Sequence, residues 1–395
     1  MNSRSISTTI AWLTLFLLLL AIVIALVWAN LQWVEYFPQE SEFFQRWQIT
    51  QGLIFERINP YEPVDGYTFT SPFPLLVFYF PFALIKNYAL AQALWISVLQ
   101  IATVVFAYLS IRTSAWEINR WLMGIIFVFA LFWFPAISLF SRGSEAALMT
   151  ALFTAALLSI QKGRIEIAGV FLALSTLDLP LTLLAVTLVL IWVISQGGWP
   201  LIFWATATIF IASGIGLIFL PSWPVDYFLS MLRYVDFRVG QSILETTTRW
   251  WPGIGLQIGW GVMILSTLLL IVEWWLVWGK NERRLTWTLA LTLAVSIWIG
   301  FETTFDQVFF LLFSLIVIFA AWNRRWKKPG MIFTLSILIL LLPGSWWSAV
   351  YFAQTGLGEV PNPILMIAFP LIVIVALYWI RWWYLRPEYL ILSES

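Results

Sequence analysis

Cysteine and histidine are absent from the 395-residue chain, and charged residues make up only 10% of it. Without cysteine there is no disulfide, no thiol nucleophile and no thiolate metal site. Without histidine, a general base has to be a carboxylate or, failing that, a Lys or Tyr side chain. A metal site would need oxygen ligands alone. The net charge of +1 makes no case for nucleic acid as a partner.

Apolar surface is what the chain has in quantity. Hydrophobic residues make up 61% of it and mean hydropathy is +0.89, against about 45–50% apolar residues in soluble domains. The runs 10–28 and 254–271 carry no charge, and roughly 20 such residues cross a bilayer core as a helix. The expected fold is all-α: a polytopic transmembrane helix bundle of about 12 spans, one domain over residues 1–395. The first run follows Arg4 alone, is too long for the apolar region of a signal peptide, and has no small-residue cleavage pattern in the "VWANLQW" after it. It reads as a retained span. Trp250-Trp251, Trp274-Trp275 and Trp346-Trp347, among 27 tryptophans, suit the membrane interface.

Spans are expected at 9–30, 88–111, 120–140, 146–160, 165–177, 180–195, 199–221, 254–279, 285–301, 306–322, 330–346 and 363–383. With both termini cytoplasmic, 14 of the 21 basic residues fall inside, led by the linkers "KNERR" and "NRRWKK", as the positive-inside rule requires. The acids divide the other way. Glu35, Glu40, Glu42, Glu56, Glu62, Asp65, Glu145, Asp178, Asp226, Asp236, Glu245, Glu302, Asp306 and Glu359 fall outside. Solvation of the long outer loops, 31–87 and 222–253, accounts for some of them. It does not account for Glu145, Asp178, Glu302 and Asp306, which stand in tight connections where a charge is costly unless used or paired. These four and Glu42 are expected to converge on one outer face.

Three shorter stretches do not read as spans. Residues 71–86, broken by Pro72, Pro74 and Pro81, are expected to form a helix lying in or dipping into the outer interface. Phe43, Phe44, Trp47 and Ile54 form one stripe of a surface-lying helix, and 225–237 repeats that pattern or simply packs over the bundle.

In chain order come a first span, an outer loop with the acid-Phe pair Glu42-Phe43, "NPY" at 59–61, "PFALI" at 81–85 and "ALAQALW" at 89–95. "AGVFLALST" at 168–176, "GQSILET" at 240–246 and "TTFDQVFFLL" at 303–312 follow. This ordered set resembles the polytopic GT-C glycosyltransferases, and among them glycosyltransferase family 87, polyprenol-phosphate-mannose-dependent mannosyltransferases and their relatives. The resemblance runs from about residue 10 to 325. It implies a hexose, mannose foremost, transferred from a polyprenyl-phosphate donor at the extracytoplasmic face of a bacterial plasma membrane to a glycan or lipid acceptor. Membrane lipids and other membrane subunits are the remaining partners it allows. No cofactor is implied. The acid before Phe43 stands where the family places its catalytic base, which makes Glu42 that base. The family has Asp there. It also has Gly-Gln or Gly-Asn where this chain reads "RGSEAA", a Lys where Asp178 stands, and His in many members.

Inversion at the sugar carbon needs one carboxylate to take the acceptor's proton. A phosphate leaving group needs cations more than a general acid. Arg46, Arg142, Arg233, Arg238 and Arg249 are the forks available for phosphate. Glu145, Glu302 and Asp306 could orient acceptor hydroxyls or tune Glu42. Arg46, Arg142, Glu145, Asp178, Glu302, Asp306 and Tyr61 of "NPY" are the expected substrate-binding residues. Two other readings stay open: a non-catalytic subunit on the same scaffold, and a transporter, which the scarcity of charge within spans disfavours.

Overall fold

The computed structural model describes residues 3–34, 36, 41–62, 69–234, 241–299, 305–354 and 362–385. Glu302 lies outside these, as do Glu35, Glu40, Asp65, Asp236, Arg238, Glu359 and Arg386. The described residues form helices and connecting turns, without a strand. In order these are α1 (Ser3–Val34), α2 (Glu42–Gln51), α3 (Phe80–Ala83), α4 (Tyr88–Thr113), α5 (Arg120–Phe132), α6 (Phe134–Arg142), α7 (Ala146–Gln161), α8 (Ile165–Ser175) and α9 (Leu179–Ser195). They continue with α10 (Trp199–Phe219), α11 (Trp223–Tyr234), α12 (Gln241–Trp250), α13 (Gly255–Val277), α14 (Glu282–Ile299), α15 (Phe305–Trp326), α16 (Lys328–Gln354) and α17 (Phe369–Leu385). A π turn, Gly52–Glu56, extends α2, a 3₁₀ helix, Phe73–Phe78, precedes α3, and a π segment, Ile364–Ala368, leads into α17.

A helix falls on each expected span. Six of them are long and apolar enough to cross a membrane unaided: α4, α10, α13, α15, α16 and Ile364–Leu385. The pair α5–α6, bent by 49°, makes a seventh if it is one span. The bend is local. Trp133 is extended (ψ 137°), and Pro135 sits in the first turn of α6, where its missing N–H leaves no bond unmade. Helices α7, α8 and α9 are apolar but shorter. Helix α14 has 18 residues and opens on Glu282, Arg283 and Arg284, so a window of that length includes all three charges.

Caps fix several starts. Ser41 accepts from the Phe44 amide at the head of α2, Asn87 from Leu90 at α4 and Asn119 from Trp121 at α5, each satisfying an orphan N–H. At the centre stand α14 and α15, whose side chains are almost all buried. Such helices are apolar on every side because every side meets protein. Helices α10, α13 and α16 keep most of theirs exposed at the periphery. Tryptophan takes two roles. Trp275 and Trp347 are exposed, as interfacial residues would be. Trp287 and Trp298 are buried and donate to the Leu377 and Met366 carbonyls on or next to α17, which ties helices together where packing alone has to drive association.

The apolar stripe of α2 is present and faces protein. Phe43 is fully buried, Trp47 nearly so, and Phe43 stacks on Trp95 at 5.9 Å and on Tyr88 at 6.1 Å. Trp47 donates to the Phe82 carbonyl and Gln51 to that of Ala83. The helix is thereby clamped to α3 and the head of α4.

Candidate active site

The acids expected to converge come from four places: the start of α2, the α6–α7 turn, the α8–α9 turn and the start of α15. Helix α6 ends on Gly143, which is left-handed (φ +71°) and donates to the Leu139 carbonyl at 2.9 Å. This cap turns the chain sharply, so Arg142 and Glu145 point at α2. A Cβ on Gly143 would lie 2.5 Å from the Phe43 Cβ. The bare backbone lets Phe43 settle on the turn and brings Glu42, its neighbour, to Arg142. Trp95 locks the turn by donating to the Gly143 carbonyl at 2.8 Å.

Two Arg–acid sets result. The Arg142 guanidinium donates to Glu42 Oε1 at 2.6 Å and pairs with Asp306 through its other terminal nitrogen. Asp306 also accepts from Ser144 Oγ at 2.7 Å. In the second set Arg46, one turn along α2 from Glu42, pairs with Glu145. The other Glu145 oxygen accepts from the Tyr79 hydroxyl at 2.9 Å, and Arg46 lies over the Tyr79 ring. Although burial works against the charge of Arg46, Glu145, Tyr79, Glu42 and Asp178 hold its guanidinium more firmly protonated than in water. Asp178 therefore belongs to the same neighbourhood.

Accessibility separates the carboxylates. The Glu145 and Asp306 side chains are 3% and 6% exposed, whereas Glu42 is 34% exposed. Burial raises the pKa of Glu42 above the ordinary glutamate value. The Arg142 guanidinium pulls it back, Asp306 and Glu145 push it up further, and Arg46 opposes them. The arrangement is a floor of buried, paired acids beneath one accessible carboxylate of raised proton affinity. Such a group can take a proton from a hydroxyl near neutral pH more readily than an ordinary carboxylate.

Glu42, Arg46, Arg142, Glu145 and Asp306 are thus brought together, with Asp178 beside them. Tyr61 is not. Its hydroxyl donates to the Ser71 carbonyl, and its ring packs on Phe69 and on Tyr227 of α11. There Asn59 also donates to Asp226. Tyr61 joins the first outer loop to α11. Ser144 and Tyr79 belong to the cluster and were not singled out from the sequence. Ser144 adjoins Glu145 in "RGSE", a signal that could have been used, whereas Tyr79 is a lone hydroxyl inside the apolar "VFYFPF". Among the described residues, no three His, Cys, Asp or Glu side chains are grouped so as to hold a metal ion.

The family model of glycosyltransferase family 87 matches residues 69–301, more than half of the chain. Arg142, Glu145 and Asp178 lie within the matched segment, Glu42 and Arg46 precede it, and Asp306 follows it. No curated protein matches the chain.

Proposed function

Because the chain belongs to glycosyltransferase family 87 and is a membrane glycosyltransferase, we propose that Glu42 is its catalytic base in an inverting transfer of a hexose. Mannose is the first choice of sugar. The donor is a polyprenyl-phosphate-linked sugar, and the acceptor is a glycan or lipid hydroxyl at the extracytoplasmic face. The observation that carries this reading is the difference in exposure. Of Glu42, Glu145 and Asp306, the carboxylates paired with Arg46 and Arg142, Glu42 is the one a substrate can reach.

In the proposed step the acceptor oxygen attacks the anomeric carbon from the side opposite the phosphate. The hydroxyl proton passes to Glu42, the new C–O bond forms, and the bond to the phosphate oxygen breaks with its electron pair. The phosphate departs as a weakly basic anion, so cationic side chains suffice to stabilise it. Arg142 is a quarter exposed and paired with Glu42 and Asp306, so its positive charge lies where the phosphate would leave. Arg46 is more buried and held by Glu145, and its role is to keep that floor in place. Glu145, Asp306 and Asp178 then orient the Arg pair and the acceptor's hydroxyls. In this reading 31–87 and 222–253 are the outer loops and both termini are cytoplasmic, which places the basic α13–α14 and α15–α16 linkers on the inner side.

The test is Glu42→Gln, assayed with polyprenyl-phosphate mannose and with the glucose and galactose analogues in reconstituted vesicles. Loss of a general base lowers kcat by about 10²–10⁴-fold. Transfer at the wild-type rate in Glu42→Gln would remove Glu42 from that role. Absence of turnover with every such donor in the intact protein would favour a non-catalytic subunit on this scaffold.

A further inference from the structure

A second feature lies at the other end of the bundle. Helices α7 and α9 start beside Glu145 and Asp178, and the 16 residues of α7 rise about 24 Å. Where they end, a cavity of about 650 Å³ opens. Its walls include Ile160, Ile165, Trp192 and Leu201, with Lys280 on the α13–α14 linker and Arg283 in the first turn of α14.

Hydrogen bonds fix this geometry. The Lys280 carbonyl accepts from Trp192 Nε1 at 2.8 Å and from Gln196 Nε2 at 3.0 Å. The Gly279 amide donates to Ser195 Oγ at 3.0 Å. The linker that carries Lys280 and leads into Arg283 is therefore pinned to the end of α9. Two more cations, Lys162 and Arg164, stand exposed on the α7–α8 turn, between the lining residues Ile160 and Ile165. Glu282 is the acid in the lining. Even with it ionised the lining stays positive, Lys280 and Arg283 against one carboxylate.

The walls are mainly apolar, and the volume is that of an organic ligand, in the range of about 300–1,000 Å³ typical of such sites. A free phosphate ion would leave most of it empty. Anionic lipids are drawn to the same basic linkers that set topology, and basic pockets between helices bind their headgroups. We propose that this cavity holds one anionic, phosphate-headed membrane lipid, with its headgroup at Lys280 and Arg283 and a hydrocarbon chain along Ile160, Ile165, Trp192 and Leu201. The distance from the acid cluster makes this lipid a bound companion of the fold and no participant in sugar transfer. The inference is independent of the donor and of the sugar.

Native mass spectrometry of the full chain tests it, in micelles doped with phosphatidylglycerol or with phosphatidylcholine. The wild type is expected to retain one phosphatidylglycerol in preference to phosphatidylcholine. Lys280→Ala with Arg283→Ala should reduce that retention by about fivefold or more, the weight of a single cation beside an anionic lipid, and leave phosphatidylcholine unchanged. Ile165→Trp keeps the charges and fills the wall, so it should lower retention of both lipids. Gel filtration of each variant shows whether it is folded. Equal phosphatidylglycerol retention by folded wild type and double variant overturns the proposal. So does displacement of the lipid by millimolar inorganic phosphate, which would mean that the site binds a headgroup alone.

Discussion

At Gly143 one missing side chain decides two things. The residue closes α6 in a left-handed conformation, and it leaves room for Phe43. Alanine there would meet the left-handed penalty of roughly 1–2 kcal/mol and would press on the Phe43 Cβ. Gly143→Ala should therefore lower the melting temperature and move Glu42 away from Arg142. Sugar transfer should fall in the fraction that remains folded, as measured by specific activity after gel filtration. Glu42 itself gives a pH signature. Its folded-state pKa is raised, mainly by burial, so the folded chain holds this proton more tightly than the unfolded chain. Its ionisation works against folding above the ordinary carboxylate range, and that penalty vanishes as pH falls through it. In the proposed role the same shift means that Glu42 stops serving as a base early on acidification. The acid limb of kcat/KM should have its midpoint above about 4.3, the unperturbed glutamate value, and a profile flat down to that value would contradict the role.

Among elements, α13, α14 and α17 meet at a second ionic group. Glu273 on α13 is buried and pairs with Arg284 of α14 at 2.7 Å and Arg381 of α17 at 2.9 Å, and it accepts from Tyr378 at 3.0 Å. Both guanidinium groups also lie over the Trp287 ring, at 5.4 and 5.0 Å. In the sequence Glu273 lies within the expected span 254–279, on the side of Lys280. Arg284 comes from the next helix, but Tyr378 and Arg381 stand 105 and 108 positions on. Glu273→Ala would leave two cations facing each other in a largely dry site, and breaking such a group costs about 3–5 kcal/mol. Thermal unfolding followed by helical circular dichroism should show a large drop in melting temperature. The folded fraction should still transfer sugar, because this group lies at the end of the bundle away from Glu42.

For the molecule as a whole, what the sequence made legible follows from local physics. Runs of apolar residues and the breaks between them located the long helices. The acid-Phe pair and the acids in tight turns pointed to the residues that meet at the α2–α6 corner. The pairing itself was not legible. Arg142 reaches Asp306 across 164 positions, and no local pattern separates that choice from a pairing with Glu145. The stripe on α2 could be read, but its partner could not, since an apolar face fits a lipid surface and a protein groove equally well. Helix α12 passed for loop because "QSILETTTRW" is polar and short. It is held by close packing on α13, where Gly255 and Gly259 leave no room for a Cβ against Thr247 and Leu244.

Helix α15 carries Asp306 at its first turn and is enclosed by protein along nearly its whole length, while α10, α13 and α16 leave most of their apolar surface open, as helices facing hydrocarbon do. Swelling or thinning of the surrounding bilayer would tilt those outer helices first, at a modest cost per ångström of mismatch. The helix beneath the carboxylates is insulated from that disturbance, so the corner where Glu42, Arg142 and Asp306 meet should keep its geometry in bilayers of different thickness.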